Sequence, residues 1–150
     1  MPVGFTRALP PADAEAVKRT EAALGVEIPR EYVAFLGEQN GGYLDENVLA
    51  PGDDVSVEYL YSAGPNDDPY VSSLEEQARL YSPETDPRIR TGFLPIGENG
   101  LGDIICLRVA GEDCGAVYLW AHDAAENDDA YERVADSWTD FWDALRPDPS

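Results

Sequence analysis

Apolar and polar positions along this chain switch between two periods, and the switches mark out the elements. Ala16, Val17, Thr20, Ala23 and Leu24 form a modest apolar stripe at helical spacing, which predicts a helix from Pro11 to Leu24. Pro11 suits a first turn, Asp13 and Glu15 complement the helix dipole there, and Gly25 supplies a stop. A second helix starts at Pro29 and sets Tyr32, Phe35 and Leu36 at i, i+3 and i+4 on one face. Asn40-Gly41-Gly42 ends it, because both glycines tolerate positive φ. The period then shortens to two. Val55, Val57, Tyr59 and Tyr61 alternate with Ser56, Glu58, Leu60 and Ser62, the pattern of a half-buried strand.

Gly64 to Pro69 is a turn-rich loop, and Ser73-Leu74-Glu75-Glu76 reads as a capping box opening a short helix with Leu74, Ala78 and Tyr81 on one face. Pro83 and Pro87 bracket a loop that carries Arg88 and Arg90. The proline in Phe93-Leu94-Pro95-Ile96 points to an edge strand or a strand end. Asp103 to Val109 and Ala116 to Trp120 form a hairpin around the turn Gly111 to Gly115. Ser137 caps a final helix with Trp138, Phe141, Trp142 and Leu145 at i, i+3, i+4 and i+7; Trp138 and Phe141 are expected in the core and Trp142 half exposed. With no repeat and no linker, residues 1–150 read as a single domain whose last residues, 146–150, fray. The expected fold is α+β, a mostly antiparallel or mixed sheet covered by helices from the N-terminal and C-terminal segments.

Composition narrows the classes of function. At 150 residues and 43% hydrophobic content the chain can bury a substantial core. No apolar run approaches the ~20 residues of a membrane span, and Met1 to Leu9 lacks the pattern of a signal peptide, so the expected location is the cytoplasm, away from membranes. Cys106 and Cys114 form no CxxC and read as ordinary reduced thiols. Charge changes the picture most. Thirty acidic residues against ten basic ones give −20, which argues against a nucleic-acid partner, since phosphate neutralisation needs surplus Lys and Arg. No basic residue lies between Arg30 and Arg79, and 112–129 holds neither Lys nor Arg. Such a field attracts a basic partner; alternatively it serves solubility, or reflects a high-salt or biased composition in which Lys18 is the sole lysine. Tyr43, Tyr61 and Tyr70 stand near these carboxylates, either as plain surface tyrosines or as anchors for an Arg-rich surface.

Candidate chemistry is thin. Gly97-Glu98-Asn99-Gly100-Leu101-Gly102 does not fit a phosphate loop and reads as a tight turn between strands. His122, the one histidine, could join Cys106 and Asp103 in a catalytic constellation, but no oxyanion donor or nucleophile elbow accompanies them. It reads first as a hydrogen-bonding residue at a strand end. One His and two Cys do not build a familiar zinc centre, and the acidic run from Asp123 lacks the calcium-loop pattern. The expectation is a protein that is not an enzyme and takes no cofactor or metal.

Four segments in order carry a resemblance: Ile28-Pro29-Arg30-Glu31-Tyr32 leading into Asn40-Gly41-Gly42; Pro95-Ile96-Gly97 with Gly102-Asp103; Val117-Tyr118-Leu119-Trp120-Ala121-His122; and Ala135-Asp136-Ser137-Trp138. The chain resembles the SUKH superfamily, the domain of fungal Smi/Knr cell-wall regulators, from about Ile28 to Leu145. The resemblance implies an α+β fold, a structural role for His122 and, as in many bacterial members, an immunity protein that binds and neutralises a polymorphic toxin domain, often a nuclease. The alternative is a regulatory interaction module with an endogenous, non-toxin partner. The residues expected to meet a basic partner are Asp53, Asp54, Asp67, Asp68, Tyr70 and Glu98.

Overall fold

Helix ends in the computed structural model follow the capping chemistry of the sequence. The description covers residues 5–49, 56–64, 72–86, 89–99, 102–123 and 131–147. Helix α1 (Ala14–Leu24) begins later than Pro11 suggested, because Asp13 is the N-cap and its carboxylate accepts from the Ala16 N–H at 2.8 Å. Helix α2 (Arg30–Glu38) follows Pro29 and buries Tyr32, Phe35 and Leu36. Ser73 caps α3 (Leu74–Leu80) by accepting from the Glu76 N–H at 3.1 Å, and Ser137 caps α4 (Trp138–Ala144) by accepting from the Asp140 N–H at 3.1 Å. The Thr139 hydroxyl and its N–H both donate to the Glu31 carboxylate, tying α4 to α2. Among the described residues no helix is long and apolar enough to cross a membrane.

One antiparallel sheet holds the strands. β1 (Phe5–Ala8), β2 (Gly42–Leu49), β3 (Ser56–Leu60), β4 (Phe93–Glu98), β5 (Ile104–Arg108), β6 (Val117–Trp120) and β7 (Tyr131–Ala135) lie side by side in chain order. β8 (Arg146–Pro147) pairs with the far end of β2, through Val48 and Leu49, while β1 pairs through Gly42 to Leu44. Three expectations therefore change. Residues 146 and 147 do not fray but extend the sheet, leaving 148–150 outside the described residues. β4 is central rather than an edge, because its pairing to β3 involves only Gly97 and Glu98 and its register with β5 slips between Pro95 and Gly97. The proline thus stands where neither ladder runs regularly. The expected half-buried strand runs into buried chain at its end: Leu60, which closes β3, and Tyr61 and Ser62 after it are all inaccessible.

The main core lies between the helices and one face of the sheet. Val17, Tyr32, Phe35, Leu36, Trp138, Phe141 and Trp142 meet Leu44, Leu94, Ile96, Ile105, Leu107, Val117 and Leu119. Trp142, expected half exposed, is buried, stacked on Trp138 at 5.7 Å and tilted against Phe35 at 4.8 Å. Each fully buried side chain of this size stabilises the fold by about 1.5–3 kcal/mol relative to exposure.

The Asn-Gly-Gly motif secures the helix-to-sheet junction. Asn40 is buried; its amide donates to the Ala63 carbonyl at 3.1 Å and its carbonyl accepts from the Ala63 N–H at 2.7 Å. Gly41 has φ 75°, and a Cβ there would lie 2.7 Å from the carbonyl oxygens of Leu60 and Tyr61. Gly97 permits a similar approach of β4 to β3, where a Cβ would meet the Tyr59 carbonyl at 2.6 Å.

Candidate protein-binding site

Residues directly opposite one another in a ladder share a face of the sheet. Register therefore links Tyr43 to Tyr59, Tyr59 to Glu98, Glu98 to Ile104, Ile104 to Trp120 and Trp120 to Tyr131, one continuous row from β2 to β7. A shorter row beside it joins Pro95, Cys106, Tyr118 and Arg133, and Phe93 faces Arg108. These rows lie opposite Ile105, Leu107 and Leu119, on the side away from the main core.

The middle of this second face is sealed by the segment after α3. Tyr81 packs 6.0 Å from Trp120, and Ile89 joins Ile104, Cys106, Trp120 and Tyr131 in a second apolar cluster. The Arg90 N–H donates to the Tyr131 hydroxyl at 3.1 Å, and its guanidinium lies 5.2 Å over the Tyr131 ring. A space of only about 10 Å³ remains beneath. Burial pushes the Cys106 thiol well above its ordinary pKa and so disfavours the thiolate.

At the opposite end of β4 and β5 from Glu98, the Arg108 guanidinium lies 4.6 Å over Phe93 and its Nε donates to Asp113 at 3.1 Å. The Tyr118 hydroxyl donates to the other Asp113 oxygen at 2.5 Å. That hydroxyl, with Arg108, holds the Asp113 carboxyl below the usual carboxylate range.

Toward β2 the row runs through tyrosines beside a carboxylate and continues by register to Arg7 on β1, opposite Tyr43. Tyr43 stacks on Tyr59 at 4.7 Å and 22°, and Tyr59 meets Tyr61 edge-on at 5.6 Å. The Tyr61 hydroxyl donates to Glu98 Oε2 at 2.8 Å, and Tyr59 pairs directly opposite Glu98 across the ladder. Burial first, and then the Glu98 charge, raise both phenols far above the ordinary tyrosine range, so they remain neutral donors. Tyr43, Tyr59 and Glu98 are half-buried, whereas Tyr61 is fully inaccessible and is not the surface residue the sequence suggested. Among the described residues no Arg or Lys forms an ion pair with Glu98.

Of the residues expected to meet a partner, the structure places Glu98 in this corner; Asp53, Asp54, Asp67, Asp68 and Tyr70 lie outside the described residues. Tyr59 was overlooked as a site residue. Its strand was legible, but its pairing with Glu98 depends on a register that no local pattern encodes.

The third candidate region is a strand-end clasp. Asp103 Oδ1 lies 2.7 Å from His122 Nδ1 and accepts from the His122 N–H at 3.2 Å. Asp103 Oδ2 accepts from the buried Asn99 amide at 3.1 Å. Asp103, His122 and Asp123 could offer metal ligand atoms within 4.8 Å of one another, although both Asp103 oxygens already serve these hydrogen bonds. The clasp fixes the turn between β4 and β5 to the end of β6. Cys106 is not part of it, being packed in the second apolar cluster.

This arrangement agrees with a family match. The pattern of the SMI1 / KNR4 family (SUKH-1) fits residues 11–144. The chain belongs to that family. A similar protein is the "SPbeta prophage-derived uncharacterized protein YokK" of Bacillus subtilis (strain 168), 24% identical over 153 residues that cover 90% of this chain and 75% of the relative. The SMI1 / KNR4 match runs from just before α1 into α4, so β1 and β8, which share the outer edge of β2, lie outside it.

Proposed function

We propose that this SMI1 / KNR4 chain is an immunity protein that binds a basic toxin domain, a nuclease being the natural prey, and occludes its active surface. The observation that carries this reading is the Tyr43–Tyr59–Glu98 corner, a half-buried carboxylate among tyrosines in a protein of net charge −20. Tyrosines supply rigid contact area, and carboxylates pair with the Lys and Arg that such enzymes aim at phosphates. Asp53, Asp54, Asp67, Asp68 and Tyr70 extend the contact set in the proposal. The prophage origin in the relative's name is consistent with a role in competition between genomes.

Co-expression tests it. The product of the neighbouring upstream gene should arrest growth alone, be tolerated with this chain present, and co-purify with it. Glu98→Arg should weaken co-purification at least about tenfold, as a central charge reversal in an interface does. A non-toxic neighbour together with an endogenous, non-toxic binding partner would replace this reading with that of a regulatory module.

A further inference from the structure

We infer that the groove between α2 and α4 receives one long basic side chain, a lysine or an arginine, of a protein partner. The groove holds about 250 Å³, less than the ~300–1,000 Å³ of small-molecule pockets and suited to a single side chain. Its lining comes from both helices. Glu31, Ala34, Phe35 and Glu38 line it from α2 at i, i+3, i+4 and i+7, one helical stripe. From α4, Trp138 and Trp142 supply an apolar floor and Asp143 an acidic rim. The groove belongs to the helix layer, whereas Glu98 lies on the other face of the sheet. The inference therefore goes beyond the immunity reading and stands apart from it.

Charge selects the occupant. The contacts advance together along the two helices: Glu31 accepts from Thr139 near both starts, and Phe35, one turn on, lies 4.9 Å from Trp138 and 4.8 Å from Trp142. Both C-terminal ends therefore meet at one end of the groove. A helix C-terminus carries free carbonyls and the negative pole of the dipole, so local chemistry favours Lys, Arg or His in its last turn. Neither helix has one; α2 closes on Glu38 and α4 carries Asp143 in its last turn. Each carboxylate opposes its own helix, and both face the same groove. A local rule broken twice at one place marks a functional site. Glu31 adds a third carboxylate, and its two bonds from Thr139 both fall on Oε1, so Oε2 can take a further donor. A long basic side chain fits both parts of the lining, with its stem on the aromatic floor and its head among the carboxylates. A second copy of this chain is a poor occupant, since two molecules of net charge −20 repel each other.

The test titrates the whole chain with four probes at matched ionic strength. Two are acetyl-Gly-Lys-Gly-amide and its arginine counterpart; the norleucine counterpart keeps a stem without charge, and methylammonium keeps the charge without a stem. The Trp138 and Trp142 indole N–H signals and the Ala34 methyl are followed by NMR, with the Trp120 indole, in the second apolar cluster, as internal control. The lysine and arginine peptides should move the groove signals at millimolar concentration and leave Trp120 in place. Norleucine and methylammonium should bind at least about fivefold more weakly, since each keeps one half of the contact. Ala34→Phe, which fills the groove without altering a charge, should abolish the response. The double variant Glu38→Gln, Asp143→Asn should weaken it at least about fivefold and raise the denaturant midpoint, because the conflict with the helix ends is removed. An equal response to methylammonium, shifts that include Trp120, a full response in Ala34→Phe, or a midpoint that fails to rise would overturn the inference. A dimer in sedimentation that the lysine peptide disperses would put a second copy in the groove and overturn it too. The probe comparison needs no variant, so it decides the matter even if Ala34→Phe unfolds. Absence of protection from a toxin would sink only the immunity reading; absence of the lysine and arginine responses would sink only this inference.

Discussion

The two faces of this sheet are filled by different means. On one side α1, α2 and α4 lay apolar stripes across Leu94, Ile96, Ile105, Leu107 and Leu119, and Trp138, Phe141 and Trp142 form an aromatic stack against Tyr32 and Phe35. On the other side none of the helices among the described residues contributes a stripe. Rows of aromatic residues interleave with Glu98, Arg108 and Arg133, and a single segment carrying Tyr81 and Ile89 covers the middle. The first face is held by area removed from water, which is large, additive and indifferent to partner. The second is held by paired polar groups and rings, whose net contribution is smaller but whose geometry can recognise something. The difference places most of the buried apolar area on one face and most of the paired polar groups on the other.

Mutations can break that division. Phe141→Ala, on the helix-covered face, should cost about 3–5 kcal/mol in urea or thermal unfolding, enough to leave a marginal domain largely unfolded. An equal loss from Tyr118→Ala would erase the distinction between the faces. Gly41→Ala, at the junction that fixes α2 to the sheet, should cost at least about 2 kcal/mol, because it combines a left-handed backbone with a Cβ pressed on two carbonyl oxygens.

The tyrosine corner can be read by alkaline titration. Tyr59 and Tyr61 have folded pKa values raised above the unfolded value of about 10. Their contribution is therefore fully present below that pH and declines as pH rises toward the folded values. Tyrosinate absorbance from these residues should appear together with unfolding. Appearance of all the tyrosinate signal in the native protein near pH 10 would refute the buried corner.

The smallest effect belongs to Asp113, in the turn between β5 and β6. Its folded pKa is lowered, mainly by the Tyr118 hydroxyl and then by Arg108, so its contribution is present above the unfolded value of about 3.9 and lost as pH falls through the folded value. Asp113→Asn should cost on the order of 0.5 kcal/mol at neutral pH, since the pair is partly exposed, and nothing at the acid end of the titration. Comparing denaturant midpoints of the two proteins from pH 7 down the acid limb, where their difference should shrink steadily below the unfolded value, checks this.

Much of the fold was legible. Ser73, Ser137 and the Tyr32, Phe35 and Leu36 face are local devices, and each behaves as its pattern predicts. Pro95 misled because the proline rule concerns ladder N–H groups, and the ladders at β4 are interrupted there. Tyr61 misled because alternation separates the two faces of a strand without saying whether either is solvated. The candidate site was less legible. Glu98 was singled out for its charge, but Tyr59 and Tyr43 join it only through pairing between strands distant in sequence.

Near-neighbour chemistry along the chain settled the helices, their caps, the hairpin and the sign of the protein's field, since each depends on residues a few positions apart or on a sum of charges. The order of strands, the burial of Trp142 and the use of 146–147 as a strand depend on which segments meet. So does the tyrosine–glutamate corner. A one-residue slip in register would send Glu98 to the opposite face, and register is fixed by the packing of the whole sheet against its helices.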